Sequence, residues 1–281
     1  MRPDAVASIE PALRLGAFAG VFVLVALWEA LAPRRTRAYA RAQRWPHNLG
    51  LLALDALAVR LLAPGVAVAV AVAGEAKSWG LLNAMALPPW VSVSIAVVAL
   101  DLAIYLQHVL FHAVPLLWRL HRVHHADPDF DVTTAARFHP VEILLSLGIK
   151  CAVIVALGAP AFAVLLFEVL LNAAAMFNHA NGRLPLAVDR WLRWLVVTPD
   201  MHRVHHSVVR AEMNSNFGFN LPWWDRLFGT YRAQPAAGHT AMRIGVEGLH
   251  APEELTLARL LTQPLRDIRS AAPTDSHEGR A

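Results

Sequence analysis

The chain has 281 residues, of which 56% are hydrophobic and only 16% are charged. An average soluble domain carries about 25% charged residues. Because the apolar residues fall in long blocks between polar segments, the composition favours a multi-pass membrane protein and excludes one large soluble domain. The formal net charge is +4, but the arginines form no periodic basic face, which argues against nucleic-acid binding. Cys151 is the only cysteine, so an internal disulfide is excluded and a thiolate metal site is disfavoured.

The first two predicted membrane segments carry no functional motif. Residues 15–32 form an apolar block long enough to span a bilayer, and we interpret it as an anchor instead of a cleaved signal peptide. Residues 33–45 follow with five arginines and no acidic residue, which predicts a cytoplasmic loop. The second block, residues 49–73, contains Asp55 and Arg60, which we interpret as a structural ion pair.

The third predicted helix covers residues 90–112 and returns the chain to the cytoplasmic side. Asp101, Tyr105, His108 and His112 are spaced by four, three and four residues, so they form one stripe along this helix. A carboxylate within a membrane-spanning helix is energetically unfavourable unless it has a hydrogen-bond or ionic partner. Asp101 is therefore a candidate for orienting a ligand histidine, although a helix–helix hydrogen bond explains it equally well.

Three histidine clusters provide the strongest functional signal. The first is a pair spaced four residues apart, and the other two repeat the pattern HxxHH, so each cluster presents imidazoles on one helical face. Such clusters beside a single cysteine indicate metal held by imidazole nitrogen. Eight imidazoles exceed the ligands of one tetrahedral or octahedral ion, so two metal ions are implied. The eight are His108, His112, His121, His124, His125, His202, His205 and His206.

A predicted helical hairpin separates the last two clusters. Residues 141–158 and 160–177 are apolar, and the Gly-Ala-Pro turn between them predicts entry into the membrane and return. Both segments are short and charged, so we expect them to be tilted or partly re-entrant. The hairpin would bring the clusters together at the cytoplasmic surface. His139 and His179 lie in the same region and would raise the ligand pool to ten, five for each ion.

These motifs resemble those of the fatty acid hydroxylase and sterol desaturase superfamily of membrane di-iron oxygenases. HxxxH, HxxHH and HxxHH occur in this order around a hydrophobic hairpin, together with RFHPVE, NHAN, NSNFG and WDRLFGTY. The resemblance covers about residues 90–235. It implies two non-haem iron ions that use O2 and two electrons to hydroxylate or desaturate a C–H bond of a lipid. It assigns the eight clustered histidines as ligands, with His179 as an additional match and His139 as a looser one.

The resemblance also gives expectations for substrate and partners. A membrane lipid is expected to bind in a slot that runs from His108 between the third helix and the hairpin, near Tyr105 and Asp101. The chain contains no flavin, haem-attachment or ferredoxin motif, so a separate reductase or ferredoxin-like protein is the expected electron donor. A membrane zinc hydrolase, a bis-histidine haem protein and a histidine-rich metal transporter are the alternatives; the missing HExxH pattern disfavours the first. The residues decide neither between hydroxylation and desaturation nor which lipid is used.

The predicted fold class is all-α: a multi-pass transmembrane helical bundle with a cytoplasmic histidine-rich helical cap. We expect anchor helices in residues 1–87, the di-iron catalytic domain in residues 88–235, and a C-terminal surface helix with a disordered tail in residues 236–281. His277 in that tail is not a predicted ligand. WDRLFGTY is expected to pack over the metal site. NSNFG is expected to form a turn, with a polar contact to the ligand histidines as the less favoured alternative. The richness in Ala, Val and Arg favours a bacterial inner-membrane protein.

Overall fold

Helices make up the regular structure of residues 3–268, the part of the chain that this computed structural model describes. Within that range there are two isolated β-bridges and no strand. The helices are α1 Pro3–Leu31, α2 Arg41–Leu62, α3 Val66–Ala76, α4 Pro89–Ala113, α5 Pro115–His125, α6 Pro140–Leu157, α7 Ala161–Asn178, α8 Leu186–Leu192, α9 Pro199–His205, α10 Arg210–Met213, α11 Trp223–Leu227, α12 Gly238–Ala241 and α13 Leu257–Thr262.

Among the described residues, five helical segments are long and apolar enough to cross a membrane. They are Ser8–Leu31 within α1, Arg41–Ala76 formed by α2 and α3, and the helices α4, α6 and α7. This confirms the predicted all-α, multi-pass architecture. The α1 helix begins at Pro3, well before the predicted start of the first apolar block at residue 15.

The second span is bent between α2 and α3. Pro64 cannot donate a backbone hydrogen bond, and Gly65 adopts a φ of +59°, so α2 ends and α3 starts in a new direction. The predicted pair of Asp55 and Arg60 is wrong, because no ion pair joins them within residues 3–268. Their spacing of five residues puts them on different faces of α2, where neither i+3 nor i+4 contact is possible.

The predicted hairpin segments, residues 141–158 and 160–177, match the bounds of α6 and α7 closely. Its charged residues are partnered: Lys150 on α6 pairs with Glu168 on α7, and Arg14 of α1 lies 3.1 Å from the same carboxylate. Gly158 forms the hairpin turn with a φ of +67° and packs against the loop before α4. Any larger residue would clash there, because a Cβ on Gly158 would lie 2.3 Å from the carbonyl oxygen of Trp79. The charges therefore tie α1, α6 and α7 together inside the bundle.

Buried ion pairs connect the N-terminal region to the histidine-bearing region. The fully buried Arg44 of α2 donates two hydrogen bonds of 2.7 and 2.6 Å to Asp127 and a third, of 2.7 Å, to Asp131. Arg34, in the loop after α1, makes a two-pronged contact with Asp200 at the start of α9. These contacts cross the predicted boundary between residues 87 and 88, so the anchor helices help to build the histidine-rich end of the bundle.

The C-terminal helix is shorter than predicted. Only Leu257–Thr262 is α-helical, flanked by 3-10 turns at Pro252–Leu255 and Gln263–Leu265. Pro252 and Pro264 explain the interruptions, since proline fits the first turn of a helix but not its interior. The α13 helix packs through Leu260 in a cluster with α2 and α5. The predicted disordered tail, with His277, lies largely outside the described residues.

Candidate metal centre

Nine histidines from four parts of the chain meet at one end of the bundle, where α4 ends and α5, the end of α7 and α9 come together. They form two groups, and within each group one nitrogen of every ring lies within 4.8 Å of the others. The five-histidine group comprises His108, His112, His121, His125 and His205, and the four-histidine group comprises His124, His179, His202 and His206.

The two HxxHH motifs divide their histidines between the groups in opposite ways. In α5, the outer residues His121 and His125 join the five-histidine group and His124 joins the other. In α9 the outer residues join the four-histidine group, and the middle one, His205, joins the five-histidine group. Residues four apart share a helical face, whereas the residue between them is rotated toward a neighbouring face. The same spacing therefore lets each helix contribute to both groups.

The ring nitrogens converge as metal ligands do. Nε2 of His124 lies 3.1 Å from Nε2 of His179, which is 3.2 Å from Nε2 of His202. In the five-histidine group, Nε2 of His112 and Nε2 of His125 are 3.1 Å apart. Neutral imidazoles have one lone pair and one N–H each, so three facing nitrogens cannot all be satisfied by one another.

Further nitrogens in the five-histidine group are buried without any hydrogen-bond partner. They are the Nε2 atoms of His108, His121 and His205. Buried polar atoms in folded proteins nearly always have hydrogen-bond partners. Several unpartnered ring nitrogens that face one another therefore indicate a binding site for another group between them. An all-imidazole donor set suits iron, zinc or copper, and the residues therefore fit a transition-metal ion in each group.

Oxygen atoms of the protein fix the orientation of four rings in the five-histidine group. Each of these rings uses Nδ1 for an outer hydrogen bond, which directs Nε2 toward the centre of the group. The contacts are His108 to the Phe217 carbonyl at 2.7 Å, His112 to Asn214 Oδ1 at 3.2 Å, His121 to Glu142 Oε1 at 2.7 Å, and His205 to the Ser215 carbonyl at 2.8 Å.

The NSNFG segment, residues 214–218, provides three of those four oxygens. A turn was the favoured prediction for this segment, and the structure shows the alternative, polar contacts to the ligand histidines. Asn216 holds the segment in place, because its side-chain amide donates to the Met201 and Arg232 carbonyls at 2.9 and 2.8 Å. The signal in the sequence was the run of Asn and Ser residues in this segment, because such side chains often form hydrogen bonds with the backbone in loops.

The WDRLFGTY segment packs behind NSNFG. The buried carboxylate of Asp225 accepts hydrogen bonds from the Phe217 and Gly218 amides at 2.7 and 2.9 Å, and from the Thr230 hydroxyl. The Tyr105 hydroxyl lies 2.9 Å from the Thr230 hydroxyl, and its ring stacks on Phe228. Tyr105 therefore supports the loop that carries the orienting oxygens, and its 2% exposure leaves little area for a substrate.

Asp101 does not contact a histidine. Its Oδ2 accepts hydrogen bonds from the Trp224 indole at 2.8 Å and from the Leu221 amide at 3.3 Å. The predicted role of orienting a ligand is thus corrected: Asp101 anchors WDRLFGTY to α4. This is closer to the alternative, a packing hydrogen bond.

His139 lies in neither group. It is the N-cap of α6, where its Nδ1 accepts a hydrogen bond of 3.2 Å from the Val141 amide. Its Nε2 lies 3.2 Å from the Leu261 carbonyl. Both ring nitrogens are therefore engaged elsewhere, and the structure brings together nine of the ten predicted ligands.

Burial keeps the imidazoles of both groups neutral. Burial lowers the pKa of His121 and that of His179 to about 3. It also holds the pKa of His124 and that of His205 well below the usual 6.5, and neighbouring histidines lower these two pKa values further. A neutral imidazole has the free lone pair that a metal ion requires. The site is thus prepared for metal at neutral pH.

Comparisons with known proteins agree with this geometry. Residues 93–230 match a family model described as fatty acid hydroxylase. The chain is 32% identical over 156 residues to an ornithine lipid hydroxylase of Rhizobium tropici, covering 56% of this chain and 46% of that protein. It is 30% identical over 189 residues to alkylglycerol monooxygenase of Xenopus tropicalis, covering 66% and 41%, and 28% identical over 150 residues to cholesterol 25-hydroxylase of Rattus norvegicus, covering 51% and 47%. The chain thus spans less than half the length of these relatives. No solved structure matches it significantly.

Proposed function

Because the chain belongs to the fatty acid hydroxylase and sterol desaturase superfamily, we propose that it is a membrane-bound lipid hydroxylase with two non-haem iron ions. The observation that carries this proposal is the pair of interlocked histidine groups with inward-facing, unpartnered nitrogens. One ion would be held by the five-histidine group and the other by the four-histidine group. Hydroxylation is favoured over desaturation because the relatives named above are hydroxylases and monooxygenases.

The proposed reaction converts a lipid C–H bond into C–OH. One oxygen atom of O2 enters the substrate, and the other leaves as water after two electrons and two protons have been taken up. The bound iron ions would supply the reductive activation of O2 that an unactivated C–H bond requires. The chain itself holds the ligand rings in fixed orientations and surrounds them with buried side chains, which limits access of water to a strong oxidant.

The proposed partners are those that the family implies. A lipid substrate reaches the histidine-rich end of α4 laterally from the bilayer, O2 is the oxidant, and a separate reductase or ferredoxin-like protein supplies electrons. The arginine-rich segment 33–45 contacts the same end of the bundle through Arg34, in the loop after α1, and Arg44, in the first turn of α2. Together with the positive-inside rule, this supports a cytoplasmic orientation of the histidines, which we propose for a bacterial inner membrane.

Metal analysis of detergent-purified variants tests the proposal. The wild-type protein should contain close to two irons per chain after reconstitution with ferrous iron, and its optical spectrum should lack a Soret band. His205→Ala and His124→Ala should each reduce iron retention at a different group and abolish lipid hydroxylation. His139→Ala is the matched control: it removes a helix cap, at a cost of about 1 kcal/mol, but should retain both irons.

Three results would reject the assignment. A content of one haem per chain would mean that histidines serve as axial haem ligands and not as ligands of two iron ions. Wild-type iron content in both His205→Ala and His124→Ala would reject the ligand set. Reconstituted protein that produces no oxidised lipid with reductant and O2, across lipid extracts of several classes, would reject the activity.

A further inference from the structure

A cavity of about 460 Å³ lies against the five-histidine group. His112 forms part of its wall, and it is the one member of the two groups that is partly exposed. This volume falls within the range of about 300–1,000 Å³ that is typical of small-molecule sites. The cavity therefore gives a ligand access to one of the proposed metal ligands from outside.

Most of the cavity wall is apolar. Exposed leucines flank His112 along the chain, with Leu110 on α4 exposed by 44% and Leu116 on α5 by 71%. Leu110 belongs to an apolar span, so exposed apolar surface lies on the same helix as the cavity-lining His112. The apolar wall residues are Trp118, Val208, Met213, Val246 and Ile268.

The charged side chains in the wall leave a surplus of positive charge. Arg122 is only 7% exposed, and its Nε has no hydrogen-bond acceptor. Neither Arg122 nor Arg210 forms an ion pair within residues 3–268, and Asp267, the acidic residue near Arg122, pairs with Arg119. Glu247 also lines the cavity, but it pairs with Arg243 at 2.9 Å. Guanidinium groups in a cavity wall favour an anionic ligand, because carboxylate and phosphate groups accept hydrogen bonds from their fork of donors.

We propose that this cavity binds the polar end of an anionic lipid, with Arg122 and Arg210 contacting its carboxylate or phosphate group. The inference rests on the proposed function and deepens it. If its volume is treated as a sphere, the cavity is about 10 Å across. Arg122, Arg210 and His112 all line this one space, so a lipid bound at the two arginines also lies beside the outer edge of the five-histidine group.

Photolabelling of the full-length, iron-loaded protein tests this inference. The probe is a twelve-carbon fatty acid with a diazirine near its carboxylate, and the labelled residues are identified by peptide mass spectrometry. Label is expected in residues 112–122 and 208–214. Unlabelled laurate or dodecyl phosphate should compete, and whichever competes better identifies the anionic group. Uncharged dodecanol should compete at least tenfold more weakly.

Charge variants provide the second arm of the experiment. Arg210→Glu should lower labelling at least tenfold; this side chain is exposed, so the fold should tolerate the change. Arg122→Gln should act in the same direction, although it also removes hydrogen bonds to the Gln263 and Arg266 carbonyls. Arg190→Glu, on the exposed face of α8 and outside the cavity, is the matched control and should label like the wild type.

Labelling elsewhere, equal competition by dodecanol, or full labelling of Arg210→Glu would overturn the inference. Iron content and lipid hydroxylation are measured on the same samples. If both are normal while the label maps elsewhere, the cavity assignment fails and the proposed function stands. If iron is not bound, the proposed function itself fails.

Discussion

Glu142 connects the fold to the metal centre through a single hydrogen bond, and its replacement is the sharpest test of how the ligands are oriented. The side chain is 3% exposed, and its Oε1 lies 2.7 Å from Nδ1 of His121. A carboxylate in this position fixes the tautomer of the ring, directs Nε2 toward the metal and raises its basicity. Loss of such an outer contact typically lowers metal affinity by about 10–100-fold.

We therefore predict that Glu142→Leu weakens iron binding in the five-histidine group by about 1.4–2.7 kcal/mol, since each tenfold change corresponds to about 1.4 kcal/mol. Glu142→Gln should have a smaller effect, because its amide oxygen can still accept the hydrogen bond from His121. The four-histidine group should keep its affinity. The assay is a chelator titration of iron-loaded protein in detergent, in which the iron retained per chain is measured at each chelator concentration.

Ser146→Ala is the matched control on the same helix. It lies one turn beyond Glu142 on α6 and removes a hydrogen bond of 2.8 Å from the Gln107 side chain on α4, instead of a hydrogen bond to a histidine ring. It should release iron at the same chelator concentration as the wild type. If Glu142→Leu also did so, or if Ser146→Ala weakened iron binding equally, the orienting role of Glu142 would be refuted.

Three further predictions concern the stability of the fold. Arg44→Met leaves two buried aspartates without their cation and should destabilise the protein by about 3–5 kcal/mol, seen as a lower midpoint of chemical unfolding. Gly158→Ala should destabilise it by more than about 1 kcal/mol, whereas Gly148→Ala, with no atom within 4 Å of the new Cβ, should not. Burial lowers the pKa of His239 to about 4, so the unfolded chain binds more protons between pH 4 and 6.5 and stability falls as the pH falls. His239→Gln should remove up to about 1.4 kcal/mol per pH unit from that slope.

The sequence predicted the features that depend on local periodicity. Spans, hairpin and histidine clusters follow from apolar blocks and from residues that share a helical face. What it did not predict depends on contacts between distant residues: the Phe217 carbonyl reaches His108 across 109 positions. His139 was assigned with the ligands because it lies near them in sequence, but its place at the start of α6 gives its nitrogens other partners.

The outer contacts also make the two histidine groups unequal. Four of the five rings in the first group are held by protein oxygens, and those oxygens come from α6 and from NSNFG, which is itself anchored by Asp225. In the four-histidine group the Ala175 carbonyl holds His179, while the Nδ1 atoms of His124 and His206 have no partner. The orientation of His124 therefore depends on packing, since its ring stacks on Phe138 with centroids 4.4 Å apart. If two iron ions are bound as proposed, Glu142 and NSNFG would hold the ligand rings of the five-histidine group, and packing would hold most rings of the four-histidine group.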